Sequence, residues 1–159
     1  MPLIIDGHNL LWAIQKASED SESITDVRLC RIIGRYLKLA GEKGEIVFDG
    51  TGPRDKSGFD NISDLEVLFS GRAADCDMVI EHKITANTAP KRLTVVSSDR
   101  RLRDAARRRK ATPVKSEVFW SNLQKHLSRK RTASEPAAKR HGISESETKK
   151  WLEFFGFEQ

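Results

Sequence analysis

"RLTVVSSDRRLRDAARRRK" (Arg92–Lys110) changes its period halfway. Up to Asp99 it is a β-branched apolar run, short enough for a strand buried on both faces; after Asp99, Leu102, Ala105 and Ala106 recur at helical spacing among seven cations. The same order, apolar run and then acid, occurs twice upstream. Leu3–Ile5 runs into Asp6, Gly7, His8 and Asn9, and "EIVFDG" (Glu45–Gly50) ends in Asp49. "LEVLFS" (Leu65–Ser70) is a further strand, and Thr112–Val114 a short one that Pro113 assigns to a sheet edge. Helical periods lie between the strands. One covers Ile24–Ala40, with Leu29, Ile33, Tyr36 and Leu37 on a stripe, Ser23 or Thr25 as cap and Gly41 as stop; a second covers Arg72–Ala86. A last one starts at Ser116 and carries Val118, Phe119, Leu123 and Leu127. Strands alternating with helices predict an α/β fold, a mostly parallel sheet of about five strands flanked by helices.

At 159 residues the chain is the size of one ordinary domain with a short appendage. Residues 1–128 are expected to form the domain and 129–142 a basic linker broken by Pro136. Residues 143–159 are expected as an amphipathic aromatic tail with Trp151, Leu152, Phe154, Phe155 and Phe157. The tail either packs on the domain or docks a protein partner. Lys and Arg number 28 against 23 Asp and Glu, a formal charge of +5, so a polyanionic partner is admissible and the placement of charge matters more than its excess. Cys30 and Cys76 lie apart in apolar surroundings and read as reduced core thiols. The first apolar run reaches Asp6 too early for a signal peptide and nothing approaches a membrane span, so a cytoplasmic location is the expectation.

In open α/β sheets, ligands bind beyond the carboxyl ends of the strands. Asp6, Asp49 and Asp99 each fall at such an end, and Asp77 opens the helix after the third strand. Carboxylates about 4 Å apart repel by roughly 4 kcal/mol per pair at an effective dielectric near 20, so a cluster of them calls for a counter-charge. Magnesium or manganese suits oxygen ligands and supports phosphodiester hydrolysis by water. Plainer roles stand beside these: Asp99 and Asn9 as helix caps, Asp49 as half of an Asp-Gly turn, Asp77 and Glu81 as a solvated helix face. Asp6, directly after a buried run, needs partners in any case.

The helix after Asp99 sets Arg100, Arg103 or Asp104, Arg107 and Lys110 along one side, a surface able to guide a phosphate backbone or simply to face solvent. Trp12 and Phe59 offer flat faces for unpaired bases, or serve as anchors of core and loop. His8 is placed to contact a phosphate or to make a structural hydrogen bond.

"IIDGHNLL", "VFDG", "DCDMVIEHKI" and "VVSSDRRLRDAA", taken in order, resemble the NYN domain family of PIN-like nucleases, in particular its YacP-like branch, over about Met1–Leu127. The resemblance implies a PIN-like three-layer sandwich and an acidic cluster that uses Mg2+ or Mn2+ to cleave single-stranded RNA by water attack, leaving a 5′-phosphate. It implies Asp6, Asp77 and Asp99 as metal ligands and, with Asn9, as the catalytic set. The "ADCD" stretch leaves Asp75 and Asp77 in competition, and the spacing to "VIE" favours Asp77. Contacts to RNA are expected from His8, Ser98, Arg100, Arg103, Arg107 and Arg108, with Asp49, Asp75 and Glu81 as further acidic candidates. The leading expectation is therefore a metal-dependent endoribonuclease linked to translation. The alternative is a non-catalytic RNA- or ribosome-binding module of the same fold. A small-molecule phosphatase fits less well, because strand one lacks the Asp-x-Asp-x-Thr nucleophile motif.

Overall fold

In the computed structural model, which describes residues 2–17 and 24–134, five parallel strands form one sheet in the order β3-β2-β1-β4-β5. The chain runs β1 (Leu3–Asp6), α1 (Gly7–Ala17), α2 (Asp26–Ala40), β2 (Gly44–Phe48) and β3 (Leu65–Phe69). It continues through α3 (Cys76–Ala86), β4 (Thr94–Val96), α4 (Arg100–Arg108), β5 (Thr112–Val114) and α5 (Ser116–Ser134). The α/β expectation holds, and every strand pair is parallel.

Alternation along the strands divides the core into two layers. Leu3, Ile5, Ile46, Phe48 and Val96 meet α1, α2 and α5 on one face; Ile4, Val47 and Val95 meet α3 and α4 on the other. Each fully buried Ile or Leu contributes roughly 1.5–3 kcal/mol, which is why these runs read as continuously apolar. Thr25 caps α2 through its hydroxyl, and Gly41 closes that helix in the left-handed conformation at φ 68°.

Register carries the polar residues to one edge. Ile5 lies beside Val96, so the next residues, Asp6 and Ser97, emerge side by side where β1 and β4 diverge. Because the chain builds β2 and β3 on one side of β1, and β4 and β5 on the other, this is the switch point at which a crevice opens. Gly7 is required here: a Cβ on it would lie 2.5 Å from ring carbons of Phe48, so only glycine lets α1 start this close to β2.

Several boundaries differ from those expected. β4 ends at Val96, and Ser97, Ser98 and Asp99 form a loop because their side chains are drawn into caps and into contact with Asp6. α3 begins at Cys76 rather than Arg72, since Asp75 takes the cap position. α5 continues through Ser134, so the first part of the expected 129–142 linker is helical. The rest of that linker and the 143–159 tail lie outside the described residues. Phe59, a candidate base platform, is instead buried against Phe48 and Phe69, anchoring the long loop after β2. Cys30 and Cys76 are both buried and free, as expected.

Candidate active site

Asp6 is the centre of the crevice, a carboxylate only 6% exposed and held by neutral donors. The Ser97 hydroxyl donates to Oδ2 at 3.1 Å; the Asn9 backbone N–H and the Cys76 thiol approach Oδ1 at 3.4 and 3.6 Å. Burial raises its pKa above the ordinary 3.8, and the charge of Asp99 pushes the same way against those hydrogen bonds. Cys76 stays a neutral thiol, because burial and then the charge of Asp6 raise its pKa as well. Ser97 and Cys76 were not singled out as site residues from the sequence. The signal for Ser97 was the first serine of "SSD", which the parallel register sets beside Asp6.

Asp77 and Asp99 join Asp6. The pKa of Asp77 is raised to about 6, first by partial burial, then by a hydrogen bond its carboxyl shares with Asp99, then by the charges of Asp99, Asp6 and Asp75. Asp99 also caps α4, with Oδ1 accepting from the Arg101 N–H at 3.1 Å, so capping and membership of the cluster coexist. Asp75 caps α3, accepting from the Met78 N–H at 2.7 Å, and its charge also acts on Asp77, whose carboxyl lies with Asp99.

The other acidic candidates are engaged elsewhere. Asp49 accepts from the Ser70 hydroxyl and the Cys76 N–H, both at 3.1 Å, tying the end of β2 to β3 and α3. Glu81 pairs with Arg101 at 2.6 and 3.1 Å, a two-pronged brace between α3 and α4.

Asn9 supports the crevice rather than pointing into it. Its Oδ1 accepts from the Ser98 N–H at 2.9 Å and the Ser116 hydroxyl at 2.6 Å, joining α1, the loop after β4 and the start of α5. The Ser98 hydroxyl donates to Glu117 at 2.7 Å and accepts from the Ser116 N–H at 3.0 Å, so it too is committed to this junction. His8 is exposed at the rim, its ring tilted over Phe48 at 5.5 Å. On α4, Leu102, Ala105 and Ala106 are buried as expected. Arg100 and Arg107 both lie near Asp104, at 3.9 and 3.2 Å, and Arg108 is exposed. Arg103 is half-buried, with one guanidinium nitrogen buried and without a hydrogen-bond partner.

The carboxylates of Asp6, Asp77 and Asp99 are of the chemical type that a hard divalent cation takes. Their oxygens are the ligands such ions take, and among the described residues none of the three forms an ion pair with a basic side chain. Among those residues no group of three His, Cys, Asp or Glu side chains stands close enough together to hold a metal ion. Magnesium does not demand one, because it retains several waters and is held by one or two carboxylates together with substrate phosphate.

No helix among the described residues is long and apolar enough to cross a membrane. No curated protein matches the chain. Among solved structures, Rae1 (YacP) from Bacillus subtilis is similar, with a TM-score of 0.69 at 18% identity, over 98% of this chain and 92% of that one. A point mutant of the same Bacillus subtilis protein gives a TM-score of 0.63 at 20% identity over 88% of each chain. Likeness at such identity speaks for the fold. Membership rests on the match to the YacP-like NYN domain, which spans residues 3–155 and so extends past Leu127 into the aromatic tail. The chain belongs to the YacP-like NYN domain family, and its five-stranded parallel sheet is that family's nuclease-like fold.

Proposed function

We propose that the protein is an endoribonuclease that hydrolyses phosphodiester bonds of single-stranded RNA with the help of Mg2+ or Mn2+. The observation that carries this reading is the acidic cluster of Asp6, Asp77 and Asp99, none of them in an ion pair among the described residues, at the switch point of the sheet. A divalent ion bound there would acidify water and offset charge on the phosphate oxygens. Asp6, Asp77 and Asp99 would supply the oxygens that hold it. Ser97, Cys76 and the Asn9 backbone fix the orientation of Asp6, while the Asn9 side chain locks the loop that carries Asp99. The exposed guanidinium groups of α4, Arg108 above all, draw the phosphate backbone towards the crevice. In the reaction a water oxygen attacks phosphorus and the bond to the 3′ oxygen breaks, giving a 5′-phosphate and a 3′-hydroxyl. A link to translation belongs to the same proposal, carried by the family resemblance, and a cytoplasmic location goes with it as the sequence-based expectation.

The test is cleavage of labelled single-stranded RNA by the purified protein with manganese or with EDTA, beside Asp6→Asn and Asp99→Asn. Cleavage that needs both the metal and the two aspartates is expected. Binding without it would instead favour the non-catalytic RNA-binding module.

A further inference from the structure

Helix α1 begins at the crevice and presents two unlike faces. Gly7, Leu10, Ala13 and Ile14 are buried. On the opposite side His8, Trp12 and Lys16 follow one another at intervals of four residues, all exposed, in a stripe whose upper end is two residues from Asp6. Trp12 is 57% exposed, and the Lys16 ammonium lies 4.8 Å from its ring centre.

A protein partner is a poor match for this stripe. Among the described residues the exposed large apolar side chains are Trp12, Leu39, Met78 and Val118, one on each of four helices, so they form no single stripe on any helix. The neighbours of Trp12 along its own stripe are an imidazole and an ammonium. An indole more than half exposed, with a cation beside it, suits a flat ring followed by a phosphate, which is the repeating unit of an unpaired nucleic-acid strand.

We propose that the His8–Trp12–Lys16 stripe is a stacking subsite for an unpaired nucleobase of the strand that occupies the crevice, with the indole under the base and Lys16 beside the adjoining phosphate. The identity of the ligand rests on the nuclease reading above. The subsite also gives the strand a direction. α4, with its arginines, covers one face of the sheet and α1 the other, so the backbone crosses the acidic rim from the cationic helix to the aromatic one.

The experiment measures binding of the metal-free protein in EDTA to a fluorescent single-stranded RNA of about twelve nucleotides, and to the same length of abasic strand. Wild type, Trp12→Ala and Trp12→Phe are compared, with melting temperature as the fold control. Trp12→Ala should weaken binding of the base-bearing strand about tenfold, Trp12→Phe should recover most of that, and melting should not move. The abasic strand should bind the wild type more weakly and show no further loss on Trp12→Ala. A Trp12→Ala loss equally large on the abasic strand, or no loss at all, would overturn the subsite, as would self-association of the wild type that Trp12→Ala abolishes. The two readings fail separately. Trp12-dependent binding without cleavage keeps the subsite and removes the nuclease, whereas cleavage with Trp12-independent binding does the reverse.

Discussion

The two ends of the same sheet have opposite electrostatic characters. At the amino ends of the strands lies a groove of about 830 Å3 bordered by Leu3, Ile4, Gly44, Leu65 and Leu93, and the charges facing it are of both signs, Lys83 lying 3.2 Å from Glu45. At the carboxyl ends the acids face one another without an ion pair among the described residues, beneath the first turns of α1, α3, α4 and α5. The end with this groove is the electrostatically quieter one. Parallel strands with right-handed crossovers direct helix amino termini to the carboxyl edge, where partial positive charge makes buried acids tolerable. Acidic groups therefore gather at that edge.

The contrast can be broken by exchanging perturbations between the ends. The largest effect is expected from Asp6→Asn, which should lower metal-dependent RNA cleavage by more than about 100-fold, beyond what supporting partners of a metal site usually lose. Glu45→Gln should leave the cleavage rate unchanged, and comparable losses from both would end the distinction. Next comes Gly7→Ala. The methyl group would meet the Phe48 ring, so urea unfolding should show a loss of about 1–3 kcal/mol.

Asp77 sharpens the comparison through pH. Its folded-state pKa, about 6, stands above the ordinary 3.8, so between those values the folded protein binds more protons than the unfolded chain. This contribution to stability is present at low pH and is lost as pH rises through that window. Metal-free Asp77→Asn should therefore melt higher than the wild type at about pH 8, with the gap closing below about pH 4. Divalent ions should raise the melting temperature of the wild type and do so less for the variant. The smallest effect is expected from Lys83→Gln at the quiet end, within about 1 kcal/mol by the same unfolding assay and weaker still in high salt.

The strands and most helices were legible because each apolar run ends in a polar punctuation mark: Asp6 after Ile5, the Asp-Gly pair after Phe48, Gly41 after Ala40; the range of α1, which follows Asp6 without a break, was not legible. Boundaries slipped where side chains compete with the backbone for hydrogen bonds. Ser97, Ser98 and Asp99 read as strand yet form caps, and Asp75 displaced the start of α3. The three central acids were named in advance. The fate of the others was not legible, since nothing local says that Glu81 meets Arg101 or that Asp49 meets the Cys76 amide, across 20 and 27 residues. Asn9 illustrates the same limit: an amide beside Asp6 reads as a supporting catalytic residue or a cap, but its oxygen is taken by Ser98 and Ser116, the latter 107 residues away.

Local order along the chain determined the alternation of strand and helix, the burial of both sheet faces and the delivery of Asp6 and Asp99 to strand ends, because periodicity and caps are properties of neighbouring residues. Which acids share one crevice, which are neutralised by a distant arginine or amide, and which aromatic ring remains in water were decided by the tertiary structure. Charge interactions and exposure depend on distances between segments far apart in sequence, and only the register of the parallel strands sets those distances.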